Sequence, residues 1–90
     1  MTFQYVLDTM TRAGLTPTEM IKLMPVGRAT FYNWKRGQPI TDLLRFRLTI
    51  ARCKVIEAAV ESGRLPLSED IERRQRMLAI DKALKETHKR

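Results

Sequence analysis

The spacing of apolar residues at the start of the chain is typical of an amphipathic helix. Four residues recur at positions i, i+3, i+4 and i+7, on one helical face: Phe3, Val6, Leu7 and Met10. We therefore predict a first helix from Thr2 to Ala13. Gly14 follows where a left-handed residue closes a helix, and Leu15 is placed for the hydrophobic contact that accompanies such a cap.

The next polar segment marks the start of a second helix. Thr16 is a good N-cap residue, Pro17 suits the first helical position, and Glu19 stands where it closes a capping box. We expect this helix to end at Met24, because Pro25 cannot continue the hydrogen-bond ladder and restricts the residue before it.

A short third helix is predicted after the turn formed by residues 25–27. It covers residues 28–36 and is closed by Gly37. Phe31 and Trp34 lie three residues apart and share one face. The other side carries cations, an amide and a phenol without any acid: Arg28, Ala29, Tyr32, Asn33 and Arg36.

Two short helices joined by a tight turn, the second basic outside and aromatic inside, are typical of a helix-turn-helix. The second helix of that motif lies in the DNA major groove. Arg28 has the chemistry to bind guanine O6 and N7, and Asn33 the chemistry to bind adenine N6 and N7. Ala29 leaves room for a thymine methyl group.

A longer fourth helix is predicted from residue 41 or 42 to about residue 62, where the chain lacks Pro and Gly. We expect its apolar side chains to close the core over Phe31 and Trp34. Two interpretations of its basic residues stay open: they are solvated, or some of them, such as Arg45 and Arg47, lie beside the phosphate backbone. The apolar residues are Leu43, Leu44, Phe46, Leu48, Ile50, Ala51, Val55, Ile56, Ala59 and Val60.

The last helix is predicted over about residues 69–87. Gly63 ends the helix before it, Pro66 marks a break, and Ser68 is the expected N-cap, followed by acids in the first turn. The apolar stripe of this helix is narrow, so it either lies against the core or forms a dimer. We favour dimerisation through Leu65, Leu67, Ile71, Leu78 and Leu84.

These elements predict an all-α fold, a compact bundle of about five helices that contains a helix-turn-helix and carries an additional C-terminal helix. Residues 1–63 form the predicted DNA-binding domain. Residues 64–90 form a C-terminal helical extension, the predicted dimerisation element. Lys89 and Arg90 at its end are expected to add non-specific affinity for DNA.

The charge of the chain is concentrated in one part of it. The 90 residues carry 17 Lys and Arg against 10 Asp and Glu, a net charge of +7. Residues 20–54 hold eight of the basic side chains and one acid, Asp42, so this stretch alone accounts for +7. The flanking segments nearly cancel. Such a concentration predicts a surface for an anionic partner, and double-stranded DNA is the partner we expect.

Several classes of protein are excluded by length and composition. A chain of 90 residues is too short for the large nucleotide-binding and barrel enzymes, so we expect no enzymatic activity and no cofactor. Cys53 and His88 are the only residues of their types, which rules out a disulfide framework and a zinc site. No apolar run approaches a membrane span and no signal peptide is evident, so the expected location is the cytosol.

The segment Val26-Gly27-Arg28-Ala29-Thr30-Phe31-Tyr32-Asn33-Trp34-Lys35-Arg36-Gly37 resembles the recognition-helix segment of the Xre family, the lambda repressor and Cro type of helix-turn-helix. The resemblance extends from about Phe3 to Ala51. It implies an all-helical domain that binds operator DNA, usually as a homodimer, and a regulator of the phage or mobile-element type in the bacterial cytosol.

The resemblance also implies roles for individual residues. Val26, Phe31 and Trp34 would belong to the core. The family's usual glutamine of the second helix is absent, so Thr18 and Lys22 would supply its contact with the DNA backbone. The base-reading residues would be Arg28, Ala29, Tyr32 and Asn33. The residues at the DNA backbone would be Thr18, Lys22, Gly27, Thr30, Lys35, Arg36 and Gln38, with possible additional phosphate contacts from Arg45 and Arg47.

The function predicted from these residues is that of a sequence-specific transcriptional regulator, a repressor that binds a palindromic operator. No small-molecule effector and no membrane partner are indicated. Two other functions stay open. One is a small inhibitor of a host regulator that uses a helix-turn-helix scaffold, which would show Phe31 or Tyr32 exposed together with Met24. The other is an architectural factor in DNA recombination.

Overall fold

The computed structural model describes residues 2–88, with side chains up to residue 87, and is all-helical over that span. The predicted all-α bundle is confirmed. Five α-helices follow one another, with a short 3-10 helix before the last: α1 Phe3–Arg12, α2 Pro17–Leu23, α3 Arg28–Lys35, α4 Leu43–Glu61, the 3-10 helix Arg73–Gln75, and α5 Arg76–His88. Lys89 and Arg90 lie outside the described residues.

The helix ends in the first two thirds of the chain follow the sequence signals. Thr16 Oγ1 accepts a hydrogen bond from the Glu19 amide at 3.2 Å, and Glu19 Oε1 accepts one from the Thr16 amide at 2.9 Å. This is the predicted capping box. Asp42 caps α4 by accepting from the Arg45 amide at 3.0 Å. Gly14 adopts the predicted left-handed conformation at φ +66°.

Gly14 is also required by a close approach of the chain. A Cβ atom added at Gly14 would lie 2.7 Å from Cβ of Pro66, closer than real side chains come. The turn between α1 and α2 is therefore in direct contact with the segment that follows α4, and any larger residue at position 14 would push the two apart.

The core is organised around aromatic rings. Phe3 of α1 meets Phe31 at 5.2 Å and Trp34 at 6.1 Å between ring centroids, and Trp34 in turn meets Phe46 of α4 at 5.6 Å. All three pairs are edge-to-face, the arrangement that aromatic quadrupoles favour. Phe31, Trp34 and Val26 are buried, as predicted. These contacts anchor α3 on α1 and α4.

The expectation that the apolar residues of α4 close the core is met by most of them, including Phe46, but not by the leucines at the start of the helix. The buried residues of α4 are Thr49, Cys53, Ile56 and Ala59, all in its later turns. Three leucines at its start are exposed instead, Leu43, Leu44 and Leu48, at 64%, 68% and 46%. From the first turns of α4, Phe46 reaches the aromatic cluster through its contact with Trp34.

The predicted start of the last helix is also wrong. Ser68 does not cap a helix, since its hydroxyl donates to the Asp70 carboxylate while the Ile71 amide closes a turn onto the Ser68 carbonyl. Glu72 is extended, with φ −61° and ψ 145°, and helical structure begins only after it. The local polar side chains bond to one another, as in the contacts from Ser68 to Asp70 and from Arg74 to Glu72.

The predicted dimer contacts need a correction as well. Leu65 and Leu84 are buried in the core of the chain itself, at 2% and 5% exposure, and so cannot meet a second copy. Leu67 and Ile71 are half-buried, and only Leu78 is widely exposed, at 68%. The extension therefore contributes to the same core as residues 2–63.

Arg76, the first residue of α5, makes a tertiary contact with the start of α2. Its guanidinium meets the Glu19 carboxylate twice, with Nε to Oε2 at 2.7 Å and Nη2 to Oε1 at 3.1 Å, and Nη2 also donates to the Gly14 carbonyl at 3.0 Å. The hydrogen bonds from Arg76 hold the pKa of Glu19 below its usual value. Arg76 thus ties α5 to the start of α2.

Candidate nucleic-acid interface

The turn between α2 and α3 consists of residues 24–27 and sets the position of α3. Met24 and Val26 are buried on either side of Pro25, so the turn is held by the core. Arg28, the first residue of α3, reaches back to α2, where Nη2 donates to Thr18 Oγ1 at 3.4 Å. The two helices therefore share both a buried connection and a surface contact.

The outward face of α3 carries donors and no acid. Arg28, Ala29 and Arg36 are exposed, and Tyr32 and Asn33 are half-buried between them. The sequence has no Asp or Glu between residues 20 and 41, so no carboxylate of the turn or of α3 opposes these cations. The predicted base-reading residues are thus brought together on one side of a short helix.

Tyr32 lies between two cations. The Arg28 guanidinium carbon is 6.0 Å from the ring centroid, and the Lys35 ammonium nitrogen is 5.6 Å from it. Cation–π attraction at this distance holds both side chains near the ring. Sequence reasoning missed this arrangement, although the signal was available, because positions i, i+3 and i+4 neighbour one another on a helix.

Asn33 is oriented by a neighbour on the same helix. Arg36 Nη2 donates to Asn33 Oδ1. With its oxygen engaged in this way, the amide presents its NH2 group to a ligand. The face formed by Arg28, Asn33 and Arg36 is therefore rich in donors, which suits the acceptor atoms O6 and N7 of guanine.

The residues predicted to contact the DNA backbone surround this face. Gly27 is exposed in an extended conformation, and no atom lies within 4 Å of where its Cβ would be, so the amides at the start of α3 are accessible to an anion. Thr30 is half-buried. The remaining predicted backbone residues are exposed: Thr18, Lys22, Lys35, Arg36 and Gln38.

A polar groove runs between α3 and the start of α4. It has a volume of about 290 Å³, and Thr30, Asn33, Gln38 and Arg45 are among the residues that line it. The groove brings predicted base-reading and backbone residues together. Arg45 is fixed there by an ion pair with Asp42 at 3.2 Å. Arg47, the other predicted phosphate contact on α4, lies instead against Phe46, Ile50 and Lys54.

Cys53 has no place in this interface. Its side chain is fully buried in α4, and burial raises the pKa of the thiol to about 12, which keeps it protonated and unreactive. Among the described residues, no group of His, Cys, Asp and Glu side chains could hold a metal ion. Over residues 2–88 no helix combines the length and apolar character needed to cross a bilayer.

Comparison of the chain with known protein families, with curated proteins and with solved structures finds no match. The proposed function therefore rests on the chemistry of the interface.

Proposed function

We propose that the protein is a sequence-specific DNA-binding regulator, a transcriptional repressor of the bacterial cytosol that places α3 in the major groove of its operator. The observation that carries the proposal is the acid-free donor face of α3, held outward by the burial of Phe31 and Trp34 on the opposite side of the same helix. An α-helix of this kind fits the major groove of B-DNA.

Arg28 is the principal base-reading residue in this proposal. Tyr32 and Thr18 restrict its guanidinium from two sides, which lowers the conformational entropy that it loses when it binds guanine. Asn33 reads the next accessible base edge through its amide, and Ala29 leaves space for a thymine methyl group. These contacts would supply sequence preference.

Contacts to phosphate would fix the register of α3. Lys22 and Lys35 lie on either side of the donor face, and the amides after Gly27 point out of the helix N-terminus. Gln38 and Arg45 in the polar groove would reach the neighbouring strand of the backbone. These groups contribute affinity without reading sequence.

A palindromic operator requires two copies of the chain. Leu78 is the most exposed apolar side chain of α5, and half-buried Leu67 and Ile71 belong to the segment that precedes this helix. We propose that a homodimer forms through this part of the surface. Leu65 and Leu84 support it only from within the core.

The proposal is tested by selecting bound sequences from a random pool of double-stranded DNA at physiological salt. A recovered palindrome with guanine in each half-site is the expected result. Recovery of no consensus, with binding that remains equal for all sequences, would reject the sequence-specific function.

Two substitutions on α3 separate base reading from phosphate contact. Asn33→Ala should cost on the order of 1–3 kcal/mol on the selected site and little on unrelated DNA. Lys35→Ala should weaken binding to all sequences alike. Equal losses for both variants on every sequence would remove the base-reading role of α3. Binding is measured by fluorescence anisotropy on matched duplexes.

The alternative function, a small inhibitor of a host regulator, requires an exposed apolar site at Phe31 or Tyr32 together with Met24. Phe31 and Met24 are buried, and Tyr32 is occupied by its two cations. That site is therefore not available for a protein partner on α3.

A further inference from the structure

The start of α4 presents an apolar stripe that the core does not use. Leu44, Leu48 and Ala51 are spaced by four and three residues, so they line one side of the helix. Leu44 is 68% exposed and Leu48 46%. Side chains with this spacing are the contacts that one helix offers to another when their ridges and grooves meet.

An apolar groove lies beside the stripe. It has a volume of about 370 Å³, and α4 forms one wall through Leu48, Ala51 and Arg52. The opposite wall is the end of α2 and the turn after it, formed by Leu23, Met24 and Pro25. The groove and the stripe share Leu48 and Ala51, so they form one continuous surface, which we call the α4 face.

Two arginines are fixed along the groove. Arg45 Nη1 donates to the Pro25 carbonyl at 3.1 Å, and Arg52 Nε donates to the Leu23 carbonyl at 3.1 Å. Arg45 is also paired with Asp42 at 3.2 Å, whereas Arg52 keeps further N–H groups beyond the one that is bound in this way. Because the backbone holds them, both are positioned before any partner arrives.

The other edge of the α4 face is basic as well. Arg47 and Lys54 flank an apolar depression over Phe46 and Ile50. No Asp or Glu occurs between residues 43 and 56. The α4 face therefore has an apolar centre with cations on both sides.

We propose that the α4 face binds an amphipathic helix of another protein, one whose leucine-like side chains are flanked by Asp and Glu. The apolar residues of that helix would enter the groove, and its carboxylates would meet Arg52 and Arg45 on one side and Arg47 and Lys54 on the other. Helix-in-groove binding of this kind is a common mode of peptide recognition. The proposal shares one residue with the proposed DNA contacts, Arg45, and none of those on α3.

The charge of the face decides between possible occupants. A second copy would place four cations against four cations across the interface, which opposes association. DNA would neutralise the cations but would leave the exposed leucines against a polyanion. Only an acidic amphipathic helix satisfies both the apolar centre and the basic edges.

The test uses three synthetic helical peptides with the same leucine spacing and with Glu, Gln or Lys at every flanking position. The chain should bind the Glu peptide about tenfold more tightly than the Gln peptide, and the Lys peptide should bind least. Binding is measured by fluorescence anisotropy, and the site is mapped by amide chemical shifts. The largest shifts are expected at residues 44–55 and at Leu23 and Met24, since Pro25 has no amide proton.

The matched control comes from α5. The double variant Leu44→Ser/Leu48→Ser should lose most of the affinity for the Glu peptide, whereas Leu78→Ser, at a residue as exposed as Leu44, should keep it. Circular dichroism checks that both variants stay folded, which is expected because these leucines lie outside the core.

Three outcomes would overturn the proposal. The first is equal affinity for the Glu and Lys peptides. The second is self-association of the chain, seen by sedimentation, that disappears in Leu44→Ser/Leu48→Ser and persists in Leu78→Ser. The third is that DNA, with no peptide present, covers Arg47 and Lys54 and protects them from solvent. Loss of DNA binding by α3 would leave the peptide result unchanged, so failure of one proposal is distinguishable from failure of the other.

Discussion

The outward faces of α3 and α4 are both basic, but different side chains stand between their cations. On α3 the large apolar residues Phe31 and Trp34 turn inward, and the cations stand among a phenol, an amide and a methyl group. On α4 Leu44 and Leu48 turn outward among the cations. The net charge of residues 20–54 therefore indicates an anionic partner. The side chains between the cations determine which kind of anionic partner each face can bind.

The difference arises from how far each helix extends over the core. α3 has eight residues, and its two buried side chains, Phe31 and Trp34, are covered by Phe3 and Phe46. α4 has 19 residues, and its buried positions begin only at Thr49. The first turns of a longer helix are thus left free to form a second surface.

The largest effect is expected from removing the Arg76–Glu19 ion pair, which supports both faces. Arg76→Ala should lower the free energy of unfolding by about 2–3 kcal/mol, because it leaves the mostly buried Glu19 carboxylate without its cation. Both faces should weaken together, since α2 borders each of them. Chemical denaturation measures the loss.

The control for this variant is an exposed ion pair. Arg74 contacts Glu72 at 3.2 Å with both side chains largely in solvent, so Arg74→Ala should change stability by less than about 0.5 kcal/mol. A comparable loss in the two variants would show that the tie between α5 and α2 is not structural.

The same ion pair predicts the direction of a pH effect. Since the pKa of Glu19 is lowered in the folded chain, its contribution is fully present above the ordinary carboxyl value of 4.5 and is lost as pH falls through the lower folded pKa. Arg76→Ala should remove part of this acid sensitivity. Unfolding curves between about pH 3 and pH 6 measure this difference.

A smaller effect, measured on a matched pair of lysines, tests whether the two faces bind their ligands separately. Lys22 of α2 and Lys54 of α4 are both exposed. Lys22→Ala should reduce the salt dependence of DNA binding by a slope of about 1 and leave the Glu peptide unaffected. Lys54→Ala should weaken binding of the Glu peptide and leave the salt dependence of DNA binding unchanged. If either variant changes both kinds of binding, the two faces are not separate surfaces.

The smallest predicted effect concerns the choice of base. Arg36→Ala releases the Asn33 oxygen and so restores an acceptor beside the amide NH2 group. The variant should gain preference for adenine at the position that Asn33 reads, by about 1 kcal/mol or less. Competition between duplexes that differ at this single base pair gives the value, and an unchanged preference would show that Arg36 does not orient Asn33.

Local signals in the sequence were enough to predict the helix ends around α2 and α3. Thr16, Glu19 and Gly14 act through neighbours within a few residues, so their roles can be read without knowledge of the fold. The inward position of Phe31 and Trp34 followed from spacing for the same reason. Most of the proposed DNA-binding face was accessible in this way.

The features that sequence reasoning missed depend on distant contacts. Arg76 at the start of α5 meets Glu19, which is distant in sequence, and the polar residues from Ser68 onward gave a misleading cap signal. The exposed leucines of α4 could not be separated from buried ones, because both belong to one helix and burial depends on segments distant in sequence.

The contact of Arg76 with Glu19 spans 57 residues and has a consequence for the timing of synthesis. A chain emerges from the ribosome with its N-terminal segments first. Glu19 of α2 is therefore made early, but its carboxylate meets its cation only when Arg76 has been translated. A chain that ends before Arg76 would leave this carboxylate without its partner.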